Sequence, residues 1–385
     1  MELNKDTIQH ITQNIANNME NEKFLTDQIV TYLGNKRKLL DFIGDSIKDI
    51  IKEEGKDKLR ILDGFSGSGI VSRYLKQFSS HLYTNDFEEY STCINKCYLS
   101  NKSSIDLNRV QQAIDYLNQH KLDDKVGGFV RELYSPKDDT NIKKDDRTFY
   151  SNKNALIIDN IRKMISTFDE DLQPYLLSSL LYEASVHVNT SGVFKGFYKD
   201  KETGIGKFGG TGENALERIL KEINLSMPPL SNYECEVNIF NRDTNELIKE
   251  LKDLDIVYFD PPYNQHPYGS NYFMLNLIYK NQRPEEFSKV SGIPVDWKKS
   301  PYYKRSQVKA SFEQLIKDTD SKWILLSYNN EGLLSSDEIL EIMGQYGKVE
   351  LKKKKYNTFR GSKNLKDREL HVDEQLYVLK KKTSI

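Results

Sequence analysis

The sequence predicts an α/β protein, a sheet of alternating strands and helices that carries its ligands at the carboxyl ends of the strands, interrupted by a mainly helical insertion. Three observations predict it. A short strand at residues 58–62 runs into the glycine-rich turn Asp63-Gly64-Phe65-Ser66-Gly67-Ser68-Gly69 and then into helical residues 70–75. A second strand, residues 81–85, ends in Asp86. A third apolar run, Ile256-Val257-Tyr258-Phe259, ends in Asp260-Pro261-Pro262-Tyr263. Polar chemistry thus falls at one strand end after another.

Taken in order, residues 58–75 form a strand, loop and helix unit. Glycines let backbone approach a ligand closely, and the helix start offers unpaired N–H groups. The turn is not G-x-G-x-x-G, no Gly-Lys-Ser/Thr phosphate loop is present, and Asp63 would repel phosphates. A ligand with an amino-acid end fits better, its ammonium accepted by Asp63 directly or through water. An acid at the tip of the second strand, about 20 positions after the turn, is where nucleotide-binding folds hold ribose hydroxyls, which suits Asp86 to a nucleoside.

Residues 101–227 differ in texture. Amphipathic stretches at 110–117, 155–168 and 174–184 are separated by polar segments, of which 137–153 is dense in charge. Residues 188–198 interleave aromatics with lysine and glycine ahead of the glycine-rich 204–212, which reads either as a nucleic-acid-facing loop or as a solvated loop with some core aromatics. Alternation returns at 235–240, followed by Asn241-Arg242-Asp243, a helix through 251 and the strand into Asp260. A helix at 268–279 and a buried strand at 323–328 come next. Strands at 348–355 and 374–380 then pair as a hairpin around Asn357-Thr358-Phe359-Arg360-Gly361-Ser362.

A chain of 385 residues accommodates one large domain with an insertion. The formal net charge of -1 excludes a wholly basic nucleic-acid binder but not local patches. Residues 297–312 hold Lys298, Lys299, Lys304, Arg305 and Lys309 without an acid, interleaved with Trp297, Tyr302 and Tyr303. Residues 352–355 are all lysine and lead towards Phe359 and Arg360. Each stretch reads as phosphate contacts or as a solvated face. The three cysteines are too few for a disulfide framework, and Cys93 and Cys97 sit one helical turn apart as small apolar residues. With no long apolar segment and no signal peptide, a soluble cytoplasmic protein is expected.

The tetrapeptide carries the chemistry. The amino nitrogen of a nucleobase is a poor nucleophile because its lone pair is delocalised into the ring. The Asp260 carboxylate and the Pro261 carbonyl could each accept one N–H of such an amine and aim it at an activated methyl group, which is catalysis by orientation and electrostatics. The prolines fix φ and add no competing N–H donor. Tyr263 offers a flat face on which a base taken out of the duplex recovers lost stacking. The competing reading is an ordinary strand-to-loop turn. No cysteine follows a proline, which argues against covalent methylation at a cytosine carbon.

These residues resemble those of the Dam-like, α-group DNA adenine methyltransferases, which use S-adenosylmethionine, and the resemblance covers most of the chain in motif order. Tyr32-Leu33-Gly34-Asn35-Lys36 resembles the family's amino-terminal cofactor motif, with Asn35 where glycine is more usual. The glycine turn resembles its methionine-binding loop, Asp86 its ribose acid, and Arg242-Asp243 the segment near the cofactor's adenine. Asp260 to Tyr263 resembles the catalytic tetrapeptide.

The resemblance implies a Rossmann-like methyltransferase sheet from residues 1–100 and 228–385, with residues 101–227 as an inserted target-recognition domain. It implies that Asp260, Pro261 and Tyr263 are catalytic. Tyr32, Lys36, Asp63, Phe65, Ser66, Gly67, Asp86, Asp243 and Asp260 would hold S-adenosylmethionine, and no metal is needed. Lys298, Lys299, Lys304, Arg305, Phe359 and Arg360 would face double-stranded DNA, Phe359 as second wall of the base pocket. The expected activity is site-specific methylation of adenine N6, with a cognate restriction endonuclease acting separately. Alternatives are a cytosine amino nitrogen, an RNA substrate, or a catalytically silent nucleic-acid-binding module.

Overall fold

The computed structural model describes residues 19–210, 212–265, 267–357 and 371–382. Among these residues, seven strands form one sheet: β1 (Leu59–Asp63), β2 (Ser79–Asn85), β3 (Glu236–Phe240), β4 (Leu254–Phe259), β5 (Ser321–Asn329), β6 (Gly347–Asn357) and β7 (His371–Lys381). Their order is β3-β2-β1-β4-β5-β7-β6. The first five run parallel, while β7 is antiparallel to both β5 and β6. The chain steps outward in one direction from β1 to β3 and in the other from β4 onward. The switch point, where such sheets hold ligands, therefore lies between β1 and β4.

Strand periodicity explains why both faces are covered. Leu62, Val257, Phe259, Ile324, Leu326 and Leu379 point to one face and join one apolar cluster. Their neighbours Ile61, Ile256, Tyr258, Leu325 and Val378 point to the other and join a second. β4 is buried along its whole length, as a central parallel strand must be.

In chain order, the helices that matter to the site begin with α1 (Leu40–Glu54), α2 (Ile70–Leu75), α3 (Glu89–Tyr98), α4 (Leu107–His120), α5 (Asn152–Ile165) and α6 (Gln173–Val186). They continue with α7 (Thr244–Leu247), α8 (Tyr268–Asn271), α9 (Phe273–Lys280), α10 (Arg305–Asp318) and α11 (Ser336–Gly344). α1 and α2 cover one face of the sheet, α10 and α11 the other. Local signals set several boundaries. Asp106 caps α4 by accepting from Asn108 and Arg109 backbone N–H groups, and Ser335 with Glu338 forms a reciprocal capping box at α11.

The insertion helices α4, α5 and α6 share a third apolar cluster with α3 and α9. Cys93 and Cys97, both buried on α3, belong to that cluster, as their spacing predicts. The expected helix at 268–279 is instead two pieces broken at Tyr272. The physical reason comes from the insertion. The Phe194 N–H donates to the Asn271 carbonyl at 2.7 Å, so that carbonyl is engaged from outside the helix. The helix expected through residue 251 is likewise shorter, ending at Leu247. The final hairpin forms in register, with Val349 opposite Leu379 and Leu351 opposite Tyr377.

Candidate active site

Asp63 and Asp260 end adjacent strands, Asp63 lying opposite Tyr258 in the register. Beside them opens a cleft with about 700 Å³ of empty space, its mouth included, lined by Tyr32, Lys36, Phe65, Ser66, Gly67, Asp86 and Asp260. The glycine turn shapes its floor. Gly67 has φ 52, and a Cβ there would stand 2.8 Å from the Tyr32 ring, so only glycine lets these two meet. Gly64 is pressed as closely against Phe259.

Two acids organise the end of the cleft beside the glycine turn. Asp86 accepts the Gly67 N–H at 2.7 Å through one oxygen and the Glu88 N–H at 2.8 Å through the other, locking the loop after β2 to the glycine turn. Burial pushes its carboxyl up to about 6, against these hydrogen bonds. Glu88 also lines the cleft and is held by Asn276 at 2.6 Å. Burial pushes Glu88 up to about 7.

Asp63 lies behind this lining, fully buried, one oxygen accepting from the Ser72 hydroxyl at 2.6 Å. Its Oδ1 has no hydrogen-bond partner among the described residues. Leaving a buried acceptor unmet costs about 1–3 kcal/mol, so this oxygen suits a ligand's ammonium or a bridging water. Burial pushes the Asp63 carboxyl up to about 7 while the Ser72 hydrogen bond opposes the rise. The unmet carboxylate, the close-packed glycine turn and the anchored acids of the next loop fit a nucleoside with a cationic amino-acid end.

At the other end stands the tetrapeptide. Lys36 Nζ approaches Asp260 Oδ1 to 3.3 Å as an ion pair without hydrogen-bond geometry, so Oδ1 keeps an unused acceptor. The same ammonium is hydrogen-bonded at 2.6 Å to Glu374 on β7, whose Oε1 also accepts from the Ser327 hydroxyl at 2.8 Å. Burial pushes Asp260 up to about 7, Lys36 opposes this, and Glu374 adds to it. For Lys36, burial disfavours the charge, but Asp260 and Glu374 outweigh it and hold its pKa well above the ordinary lysine value. The Tyr263 ring is half-buried, 5.6 Å from Lys36 Nζ and edge-on to Tyr328 at 5.9 Å, and its carbonyl accepts the Leu333 N–H. Pro262 lines the cleft, and Pro261 is buried behind it.

Not every predicted residue reaches the cleft. Asp243 uses its carboxylate to cap α7, accepting from Asn245 and Glu246, and lies outside the lining. The basic stretch divides. Lys298 turns inward, donating to the Phe87 carbonyl at 2.7 Å and pairing with Glu89 at 3.0 Å, so it braces the loop after β2. Its neighbours Tyr302 and Tyr303 also turn inward: Tyr302 packs edge-on to Phe65, and the Tyr303 hydroxyl accepts the Tyr268 N–H. Lys299, Lys304 and Arg305 stay exposed, Arg305 lying 3.6 Å from Glu338. Phe359 and Arg360 lie outside the described residues.

Sequence reasoning missed Glu88, Tyr268, Tyr303 and Glu374. Tyr268 completes a ring stack with Tyr32 (4.9 Å) and Tyr272 beside the cleft. A second, wider cleft, about 1860 Å³ with its mouth, runs between residues 27–38 and the insertion, and shares Tyr32 and Asn35 with the first.

The chain is similar to known proteins over most of its length. The profile of D12 class N6 adenine-specific DNA methyltransferases matches residues 32–342. The type II methyltransferase M.NlaIII of Neisseria lactamica is 31% identical over 364 residues, covering 91% of this chain and 99% of that protein. The type II methyltransferase M.CviAII of Paramecium bursaria Chlorella virus 1 is 32% identical over 86% of this chain and 93% of its own length. The modification methylase StsI of Streptococcus sanguinis is 29% identical over 91% of this chain, which matches 52% of it. The Rossmann-like sheet, the tetrapeptide at its switch point and these matches agree, and the chain belongs to the D12 class N6 adenine-specific DNA methyltransferase family.

Proposed function

We propose that this adenine-specific DNA methyltransferase works by flipping adenine out of the duplex, drawing its methyl group from S-adenosylmethionine and holding its N6 amine with the tetrapeptide. The observation that carries this reading is the unused acceptor on Asp260, held at the mouth of β4 in a cleft whose far end is lined by Asp86 and the glycine turn. When bound, S-adenosylmethionine supplies a methyl group on a positively charged sulfur.

The chain's own residues do the rest. Tyr32 and Gly67 would pack against the cofactor, Asp86 and Glu88 would hold its ribose, and Asp63 would answer its ammonium, directly or through water. Asp260 and the Pro261 carbonyl accept the two amine hydrogens and turn the nitrogen lone pair towards the methyl. The Asp260 carboxylate would stabilise the positive charge that nitrogen gains as it bonds to the methyl carbon while the carbon–sulfur bond breaks and its electron pair stays on sulfur. The extra proton would then leave readily to water, because an alkylated aryl ammonium is strongly acidic. Tyr263 offers the stacking face, an interaction worth about 1–3 kcal/mol per base.

For the DNA, the wide cleft beside Tyr32 is the better candidate surface, since it adjoins the base-handling end and is bounded by Arg37, Lys38 and the insertion's loop at 188–198. Residues 101–227 would then recognise the target, with exposed Lys299, Lys304 and Arg305 adding phosphate contacts. The relatives named type II methyltransferases support a type II setting, in which a separate restriction endonuclease would act beside this chain on DNA in the cytoplasm. Nucleoside mass spectrometry of DNA digested after incubation with S-adenosylmethionine tests the proposal. N6-methyladenine from the native chain and none from Asp260→Ala supports it. Methylcytosine, or methylation retained by Asp260→Ala, overturns it.

A further inference from the structure

Lys36 has two acidic partners and treats them unequally. Its Nζ lies 2.6 Å from Glu374 in a hydrogen bond and 3.3 Å from Asp260 without one. Glu374 is itself fixed, buried on β7 and accepting from the Ser327 hydroxyl of β5. With both acids ionised, two carboxylates and one ammonium thus share one site with a net charge of minus one.

That surplus matters for the reaction. A lysine paired with Asp260 alone would neutralise the carboxylate and compete with the amine for its oxygens. We propose that Glu374 is a positioning residue for methyl transfer: it holds the Lys36 ammonium off Asp260, so that the Asp260 oxygens stay open as acceptors towards the amine. The inference rests on the reading of Asp260 as the residue that holds the amine.

Other titratable groups face Asp260 and bear on its protonation. They are Tyr258 on the same strand, Asp63 at the end of β1, Tyr263 in the following loop and Tyr268 on α8, besides Lys36 and Glu374. Burial holds Tyr258 and Tyr268 well above the ordinary tyrosine value, while Asp63, pushed up to about 7, shares the working range of Asp260.

The test is Glu374→Gln in the full chain, assayed for kcat and KM across pH at saturating S-adenosylmethionine, with Glu374→Asp and Asp260→Asn alongside. Without the Glu374 charge, Lys36 settles onto Asp260 and removes a repelling neighbour as well. The expected result is a kcat plateau lowered roughly tenfold with KM for DNA nearly unchanged, and an acid limb moved down by about one pH unit. Glu374→Asp should recover part of both. A role confined to stability predicts a lower melting temperature with the acid limb in place, and that result, or an unchanged plateau, overturns the inference. Asp260→Asn separates the two levels. If it is inactive while Glu374→Gln keeps the native profile, only the role of Glu374 falls; if it turns over like the native chain, the reading of Asp260 falls with it.

Discussion

Replacing Lys36 by methionine keeps the side chain's length and apolar stem and removes only the ammonium. Lys36 is 3% exposed, Glu374 5% and Asp260 19%. The variant leaves two carboxylates facing each other with no cation between them. Removing one partner from a buried ion pair costs about 3–5 kcal/mol, and the partial exposure of Asp260 favours the lower end of that range. Unfolding entropy is about 2.1 cal/mol/K per residue, or roughly 0.8 kcal/mol/K for 385 residues, so a loss of ~3 kcal/mol lowers the melting temperature by about 4 °C. The pH dependence is more diagnostic than the size. Asp260 already has a folded pKa of about 7 against an ordinary 3.8, and losing Lys36 raises it further. A carboxyl with a raised folded pKa carries no penalty below its unfolded value and the full penalty above its folded one. The deficit against native protein should therefore be small at pH 5, begin to open near pH 7 and be clearly larger at pH 8. Calorimetric melts at the two extremes check this. A deficit below about 1 °C at pH 8, or one equal at both pH values, would refute the claim that the ammonium stabilises this cluster electrostatically.

Two further outcomes concern the cofactor cleft. Gly67→Ala combines a strained φ of 52 with a Cβ 2.8 Å from the Tyr32 ring, so affinity for S-adenosylmethionine should fall at least about tenfold, or ~1.4 kcal/mol, in a calorimetric titration; native affinity would mean that this contact does not shape the site. Asp63 titrates at about 7, and an ammonium brought near its unmet oxygen lowers that value, so binding at pH 7 should release up to roughly half a proton. Titrations in buffers of different ionisation enthalpy measure the release. It should fall by up to roughly half a proton in Asp63→Asn, and an equal release from the native chain and Asp63→Asn would remove the ammonium from Asp63.

What the sequence disclosed was chemistry written in consecutive residues. The glycine turn, Asp86 and the Asp260 tetrapeptide each declare themselves within a few positions, because strand, turn and helix start are adjacent in the chain. The partners of these residues are not adjacent. Glu374 meets Lys36 across 338 positions, and the Lys298 contact with the Phe87 carbonyl spans 211, so no local pattern marks either. The run at 297–312 has no acid of its own, and Glu89, which turns Lys298 inward, comes from α3. Two signals were local and readable. Asp243 is followed three residues later by Glu246, an N-cap pattern that competes with a ligand role. Glu88 stands two residues beyond Asp86 at the same strand end, where a second buried acid is chemically conspicuous.

The acids have a consequence when taken together. Asp63, Asp86, Glu88 and Asp260 all sit in or behind one cleft, and burial lifts each of them to between about 6 and 7. Among the described residues lining the cleft, Lys36 is the buried cation, and it is already shared between Asp260 and Glu374. Buried carboxylates without enough counter-charge destabilise the empty fold, and a cationic ligand relieves that strain on entering. The arrangement therefore favours a ligand carrying positive charge at its amino-acid end and its sulfur over a neutral or phosphorylated nucleoside of similar shape. Once the methyl has been transferred, the sulfur is neutral and half of that advantage is gone. On the proposed reading, the field that would draw S-adenosylmethionine in would thus also loosen what remains of it after transfer.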